Sequence, residues 1–328
     1  MKDLVVNHYA VLNSSRGVRH YYAEIESRIR QDFNIDYYNG CRFLGRGHEL
    51  IYSSNKDKVF WSPTHRGSLF ASNQVITVHD VINIEFRYNG DWRKGMYKDV
   101  AARFYENSIK IVAISESTRR KLLDIFNINE KKVSVIKSGF FPILSTAHTD
   151  LEFLPTELRN KRFILFVTNH LVHKNNNRGL KAICHSHVKR EGIILVIVGS
   201  LTAESISFLN STQLHYVRMS YVSNDVFSAL LNFAYFVFSP SLMEGHNLTV
   251  AQAMSCQTPV LCSNIEVHIE FFSDYPFYFD PSEVDSITHC INSFISSGIE
   301  KMADFHCDEV NRTFDHVADE YKLLFDSI

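Results

Sequence analysis

The chain has 328 residues, 45% of them hydrophobic and 25 of them Phe, with a formal net charge of −2. That length accommodates two domains of ordinary size, and that apolar content excludes a disordered polymer. The near-neutral charge excludes any global attraction to nucleic acid or to an anionic membrane. The six cysteines (41, 184, 256, 262, 290 and 307) form no CxxC pair and several lie in apolar runs, as expected for reduced thiols of a cytoplasmic protein. The opening stretch MKDLVVNHYA has too little apolar length for a signal peptide, and no run approaches a membrane span. The expectation is a soluble cytoplasmic protein, with peripheral contact at the inner face of the cytoplasmic membrane left open.

In the first half, strand-like runs at 3–9, 58–62, 74–79, 109–114 and 132–137 alternate with helical patterns at 18–31, 92–106 and 116–126. Residues 140–160 break this rhythm with Pro142 and Pro155, the mark of a linker. A second alternating series follows, with strands at 163–167, 193–198, 216–219, 235–239, 259–263 and 277–279, and helices including 223–233 and 282–296. Two βα series predict an α/β chain of two doubly wound, Rossmann-like parallel-sheet domains facing a central cleft. The expected division is 1–150, 151–307 and a last amphipathic helix at 308–328, packing back toward the first domain.

Two loops of the second series carry the chemistry. In FVTNHLVHKNN (166–176), Lys174 precedes a helix start at Asn175–Asn177, so an ammonium and unpaired backbone N–H groups converge where a phosphate would fit. In SPSLMEGHNLTVAQAMSCQTPVLCSN (239–264), a buried strand runs into Glu244 and Gly245, and a short helix begins near Asn247, its N-cap. Glu244 is an acceptor for ligand hydroxyls, Gly245 permits close backbone approach, and Gln252 offers an amide one turn into the helix. A carboxylate beside an anion-attracting helix end suits a ligand that is polyhydroxylated at one point and phosphorylated at another, such as a nucleotide sugar.

The stretch PSLMEGHNLTVAQAMSCQTPVLCSN resembles the signature of the glycosyltransferase family 4 enzymes, which have the GT-B fold. The resemblance continues in ITVHDVINIEF, in IVAISESTRRKLLDIFNINEKKVSVIKSGF, in RFILFVTNHLVHKNN and in ILVIVGS, in the expected order, with a weaker echo at SSRGVRHYYAEI. It implies a metal-independent, retaining transferase that moves a sugar from a nucleotide-sugar donor to a saccharide or lipid-linked acceptor hydroxyl, commonly in bacterial O-antigen or capsule synthesis, with no cofactor. Lys174 would neutralise the donor diphosphate and Glu244 would bind the transferred sugar. The backbone at His246, Asn247 and Leu248 would hold phosphate, and Gln252 the ribose. His79 would contact the donor sugar, and Gly17 would line the diphosphate side of the first strand–helix loop. The sequence departs from the family pattern at three positions: Gln252 stands for a second Glu, Asn169 for an Arg five residues before the Lys, and Asn247 for a Gly.

Other features rank lower. The chain contains no Asp-x-Asp pair of the kind that holds a divalent cation in the other large transferase fold. CHSH (184–187) sets Cys184 and His187 at helical spacing without a second ligand pair, and GRGHEL (45–50) lacks the third Gly of a dinucleotide loop. Trp92, Arg93, Lys94 and Lys98 form an aromatic and basic segment able to rest on lipid headgroups. Two other functions stay open: a GT-B epimerase of nucleotide sugars, and a catalytically silent transferase-like partner.

Overall fold

The computed structural model describes residues 2–40, 57–87, 93–140, 151–299, 301–302 and 312–328. GRGHEL, Trp92, Cys41, Cys307 and the side chains of Arg93 and Lys94 lie outside the described residues. The chain forms two compact units, Met1–Phe140 with Arg312–Ile328, and Phe141–Asn311. Each holds a six-stranded sheet, and all the pairings within both sheets are parallel.

The first unit runs β1 (Lys2–Val6), α1 (His8–Leu12), α2 (Arg16–Ile29), β2 (Phe33–Tyr37), β3 (Val59–Ser62), β4 (Gln74–Val78), α3 (Arg93–Asn107), β5 (Ser108–Ala113), α4 (Glu116–Ile125) and β6 (Val133–Val135). Its sheet order is β2-β1-β3-β4-β5-β6. The run at 3–9 is not one strand, because Asn7 ends it. The Asn7 carboxamide accepts from Ala10 N at 3.1 Å, capping α1, and donates to Ser62 Oγ at 3.3 Å. Strand β2, unforeseen in the sequence, is an edge strand exposed along most of its length, so it lacks the continuous apolar run that marks its neighbours.

The second unit runs β7 (Phe163–Thr168), α5 (Asn176–His185), β8 (Ile194–Gly199), α6 (Ala203–Ser211), β9 (Tyr216–Met219), α7 (Asn224–Phe233), β10 (Phe236–Ser239), α8 (Leu248–Ser255), β11 (Val260–Ser263), α9 (Glu266–Phe272), β12 (Phe277–Phe279) and α10 (Val284–Ser297). Its order, β12-β11-β10-β7-β8-β9, means that the chain builds outward from β7 and then returns to the other side of β7 with β10. That reversal is the topological switch point, where right-handed crossovers diverge and leave a crevice at the carboxyl ends of the strands. Phe166 and Phe238 meet edge to face across the two central strands, centroids 5.4 Å apart, within a core that also takes Leu180, Leu195 and Phe294.

The last helix, α11 (Phe314–Asp326), is shorter than the sequence pattern and completes the first unit. Trp61 is fully buried, and α11 covers it with Tyr321 and Phe325, ring centroids 5.1 and 5.4 Å away. The Tyr321 hydroxyl lies 2.7 Å from Thr77 Oγ1 and 3.3 Å from the Tyr21 hydroxyl. Burying an aromatic ring while satisfying its hydroxyl is the usual condition for Tyr in a core.

Candidate functional site

Neighbouring strands deliver the two predicted loops to one place. Residues 169–175 leave the carboxyl end of β7 and residues 240–247 leave that of β10, and β7 and β10 pair through Phe236–Ile164 and Val237–Leu165. Helix α5 presses close beneath them, because a Cβ at Gly179 would come within 2.8 Å of the Pro240 ring. Asn175 adopts a left-handed backbone (φ 55°), which Asn tolerates better than most residues. Its amide nitrogen donates to Pro240 O at 3.0 Å and to Pro281 O at 2.8 Å. Leu242 N donates to His173 O at 2.7 Å. Three hydrogen bonds, two of them from the Asn175 side chain, thus bind the loops to one another or to the 281 turn.

Lys174 and Glu244 meet there. Lys174 Nζ donates to Glu244 Oε1 at 2.6 Å, and Ser241 Oγ donates to the same oxygen at 2.7 Å. The side chains keep 20% and 10% of their surface exposed, so the pair is largely desolvated. Burial by itself would raise the Glu244 pKa; the Lys174 charge, with hydrogen bonds from Lys174 and Ser241, outweighs it and holds the carboxyl below its ordinary range. The carboxylate is therefore ionised at neutral pH, an acceptor and not an acid.

The turn that follows is anchored from below. His246 is buried against Phe271, ring centroids 4.2 Å apart, and burial lowers its pKa to about 4. Among the described residues its Nδ1 is a buried nitrogen without a hydrogen-bond partner. Asn247 takes φ 84°, the region where Gly is the default residue, which accounts for the departure noted at this position. Its Oδ1 accepts from Val250 N at 3.5 Å, capping α8. Leu248 is the first residue of α8, so the N-terminus of that helix follows the Glu244 turn directly in the chain.

The remaining predicted residues are distributed as follows. Asn169 Oδ1 accepts from Leu171 N at 2.9 Å and closes a turn at the start of the loop. Gln252 lies half-buried on α8 and makes no side-chain hydrogen bond among the described residues. Gly17 sits inside the first turn of α2, rather than in the loop before it, and His79 directly follows β4; both belong to the first unit. His79 Nε2 lies 2.9 Å from Pro63 O, so that nitrogen carries the proton and Nδ1 is left as an acceptor. Burial lowers the His79 pKa to about 4. CHSH is not a ligand pair on a helix, because α5 ends at His185 and His187 lies beyond it.

Sequence reasoning missed Ser241 and His268. Ser241 carries a legible signal, a hydroxyl three residues before Glu244. His268 lies 21 residues beyond Asn247 yet contacts its side chain at 2.9 Å, and nothing in the linear pattern marks it.

With this geometry in place, comparison with known proteins is informative. Residues 152–306 match the family model described as Glycosyl transferases group 1. An O-antigen chain mannosyltransferase, RfbU, of Salmonella typhimurium is 23% identical over 263 residues, covering 78% of this chain and 68% of that protein. An N,N'-diacetylbacillosaminyl-diphospho-undecaprenol alpha-1,3-N-acetylgalactosaminyltransferase of Campylobacter jejuni is 25% identical over 205 residues, 58% of this chain and 52% of its own length. Among solved structures, HepE of Anabaena in complex with UDP-glucose superimposes with a TM-score of 0.73 at 13% identity, over 100% of both chains. The two-sheet α/β architecture is therefore of the GT-B type. Residues 152–306 of this chain thus resemble that family, the sequence relatives are glycosyltransferases by name, and the fold is the one the solved structures share.

Proposed function

We propose that the protein moves a hexose from a nucleotide-sugar donor to a hydroxyl of a saccharide or lipid-linked saccharide acceptor, in the assembly of a bacterial surface polysaccharide. The observation that carries this reading is the meeting of Lys174 and Glu244 at the switch point, 2.6 Å apart. An ammonium beside the N-terminus of α8 suits a diphosphate, and an ionised carboxylate next to it suits sugar hydroxyls. The relatives support the chemistry by their names, which are those of a mannosyltransferase and an N-acetylgalactosaminyltransferase acting in glycan synthesis.

In this reading the sugar–phosphate bond breaks with negative charge developing on the departing diphosphate. Lys174 and the α8 N–H groups stabilise that charge where it forms, the effect that commonly dominates catalysis. These groups supply the compensation without a metal ion. Glu244 orients the sugar, and Gln252 serves the ribose with an amide. Attack from the face of departure, assisted by the leaving phosphate, retains the anomeric configuration. Incubation with a panel of nucleotide sugars and saccharide acceptors, read by acceptor-dependent release of nucleoside diphosphate, tests the proposal. Release with one donor supports it. Epimerisation of a donor in the absence of acceptor, or no turnover and no binding of any nucleoside diphosphate, overturns it.

A further inference from the structure

His268 lies on α9, away from both loops in sequence, and is fully buried. Its Nδ1 is 2.8 Å from Ser263 O. A carbonyl only accepts, so Nδ1 carries the proton and Nε2 presents a lone pair. That lone pair faces the amide nitrogen of Asn247 at 2.9 Å. The second hydrogen of the same amide goes to Ser239 Oγ at 2.9 Å, while Asn247 Oδ1 caps Val250 N. The tautomer of the imidazole and the orientation of the carboxamide are therefore mutually fixed, with every polar atom of both side chains satisfied. The Tyr278 hydroxyl adds a bond to His268 O at 3.1 Å and so braces α9 against β12.

We infer that His268 is a positioning residue: through Asn247 it clamps the turn at 245–248 in the geometry that aims the α8 N–H groups at the donor diphosphate. The physical reason is that Asn247 holds a left-handed backbone, φ 84°, that a residue with a Cβ enters at a cost. Where Gly occupies such a position no clamp is needed. With Asn, the side chain must be tied down on all sides, and His268 supplies one of the three ties, beside Ser239 and Val250. The inference rests on the proposed donor site for its consequence but on the Asn247–His268 contact for its structure.

The test is a cycle of H268L, N247G and N247G/H268L, measured twice. Affinity for UDP and for GDP is read by calorimetry, and stability is read by urea unfolding without nucleotide. The expected result is that H268L weakens the nucleotide that the wild type binds about tenfold. N247G restores binding in the double variant to within about twofold of N247G alone, because Gly no longer needs the tie. Unfolding midpoints show the same coupling. Equal losses from H268L with Asn or Gly at 247, in either measurement, overturn the clamp. If the wild type binds neither nucleotide, the donor reading at this site fails for those bases, and the unfolding cycle still decides the clamp.

Discussion

Lys174 and Ser241 both bond to Oε1 of Glu244, at 2.6 and 2.7 Å, and among the described residues Oε2 makes no hydrogen bond. In the proposed function, one oxygen of this carboxylate holds the site together and the other accepts from the ligand. A diphosphate bound at Lys174, as proposed, would compete with Oε1 for the ammonium, so the strength of the pair would set part of the cost of binding.

The first prediction concerns that pair. Removing one partner leaves a buried charge unopposed, which typically costs about 3–5 kcal/mol when burial is complete. With Glu244 at 10% and Lys174 at 20% exposure, we expect about 2–3 kcal/mol from Lys174→Met or Glu244→Gln. The double variant should be less destabilised than the sum of the singles. Urea unfolding of the four proteins measures this, and additive losses would mean that the pair carries no coupling.

Gly199 provides a test of the scaffold alone. Its φ is 118°, and a Cβ there would lie 1.9 Å from Thr168 O, at the adjoining ends of β7 and β8. Gly199→Ala is expected to destabilise by about 3 kcal/mol or more, through backbone strain and displacement of the β7 end. Gly192→Ala is the control, with a positive φ but nothing within 4 Å of the added atom among the described residues. Its smaller loss in the same unfolding assay isolates the contact from the strain.

The pH dependence follows from wholly or partly buried histidines. His79, His173, His246 and His268 each have a pKa lowered by burial to about 4, and His65 to about 3, against an ordinary 6.5. Between those values the unfolded chain binds protons that the folded chain refuses. Stability is therefore full above about pH 6.5 and falls as pH drops toward 4, by up to about 1.4 kcal/mol per pH unit for each histidine that stays neutral. The lowered pKa of Glu244 acts in the same direction at the acid end of this range. The urea midpoint should be clearly lower at pH 5 than at pH 7, and equal midpoints would show that these rings are protonated in the folded state.

Gln252→Glu addresses the second departure from the family signature. The side chain is half-buried on α8 and makes no hydrogen bond among the described residues, so the substitution breaks nothing in the fold. A carboxylate is a better partner than an amide for a ribose diol. Calorimetry should show nucleotide binding unchanged or tighter, and a large loss would mean that residue 252 does not face the ribose.

Much of this was legible in the chain, and the reasons are specific. FILFVT and ILVIVG are continuous apolar runs because their strands are buried on both faces, and such runs mark a parallel sheet directly. Lys174 and Glu244 were recognisable because a phosphate-type helix start and an acidic loop each follow such a strand. What linear pattern could not supply was pairing across the fold. Strand β2 is mostly exposed. Asn7 looks like the middle of a strand until its capping bond to Ala10 is seen. His268 reaches Asn247 only because β10 and β11 are neighbours, and no spacing rule predicts that contact.

The central claim, that Lys174 holds the diphosphate and Glu244 the sugar of one guest, is tested most directly by binding measurements on three proteins: wild type and the two single variants, each titrated with a nucleoside diphosphate and with the corresponding nucleotide sugar. The account predicts that Lys174→Met weakens both ligands by about tenfold or more, as loss of a charged hydrogen bond should. Glu244→Gln should leave the diphosphate bound as well or more tightly, since the ammonium is released, while the nucleotide sugar loses its advantage. Unchanged affinity of both ligands in both variants would contradict the claim.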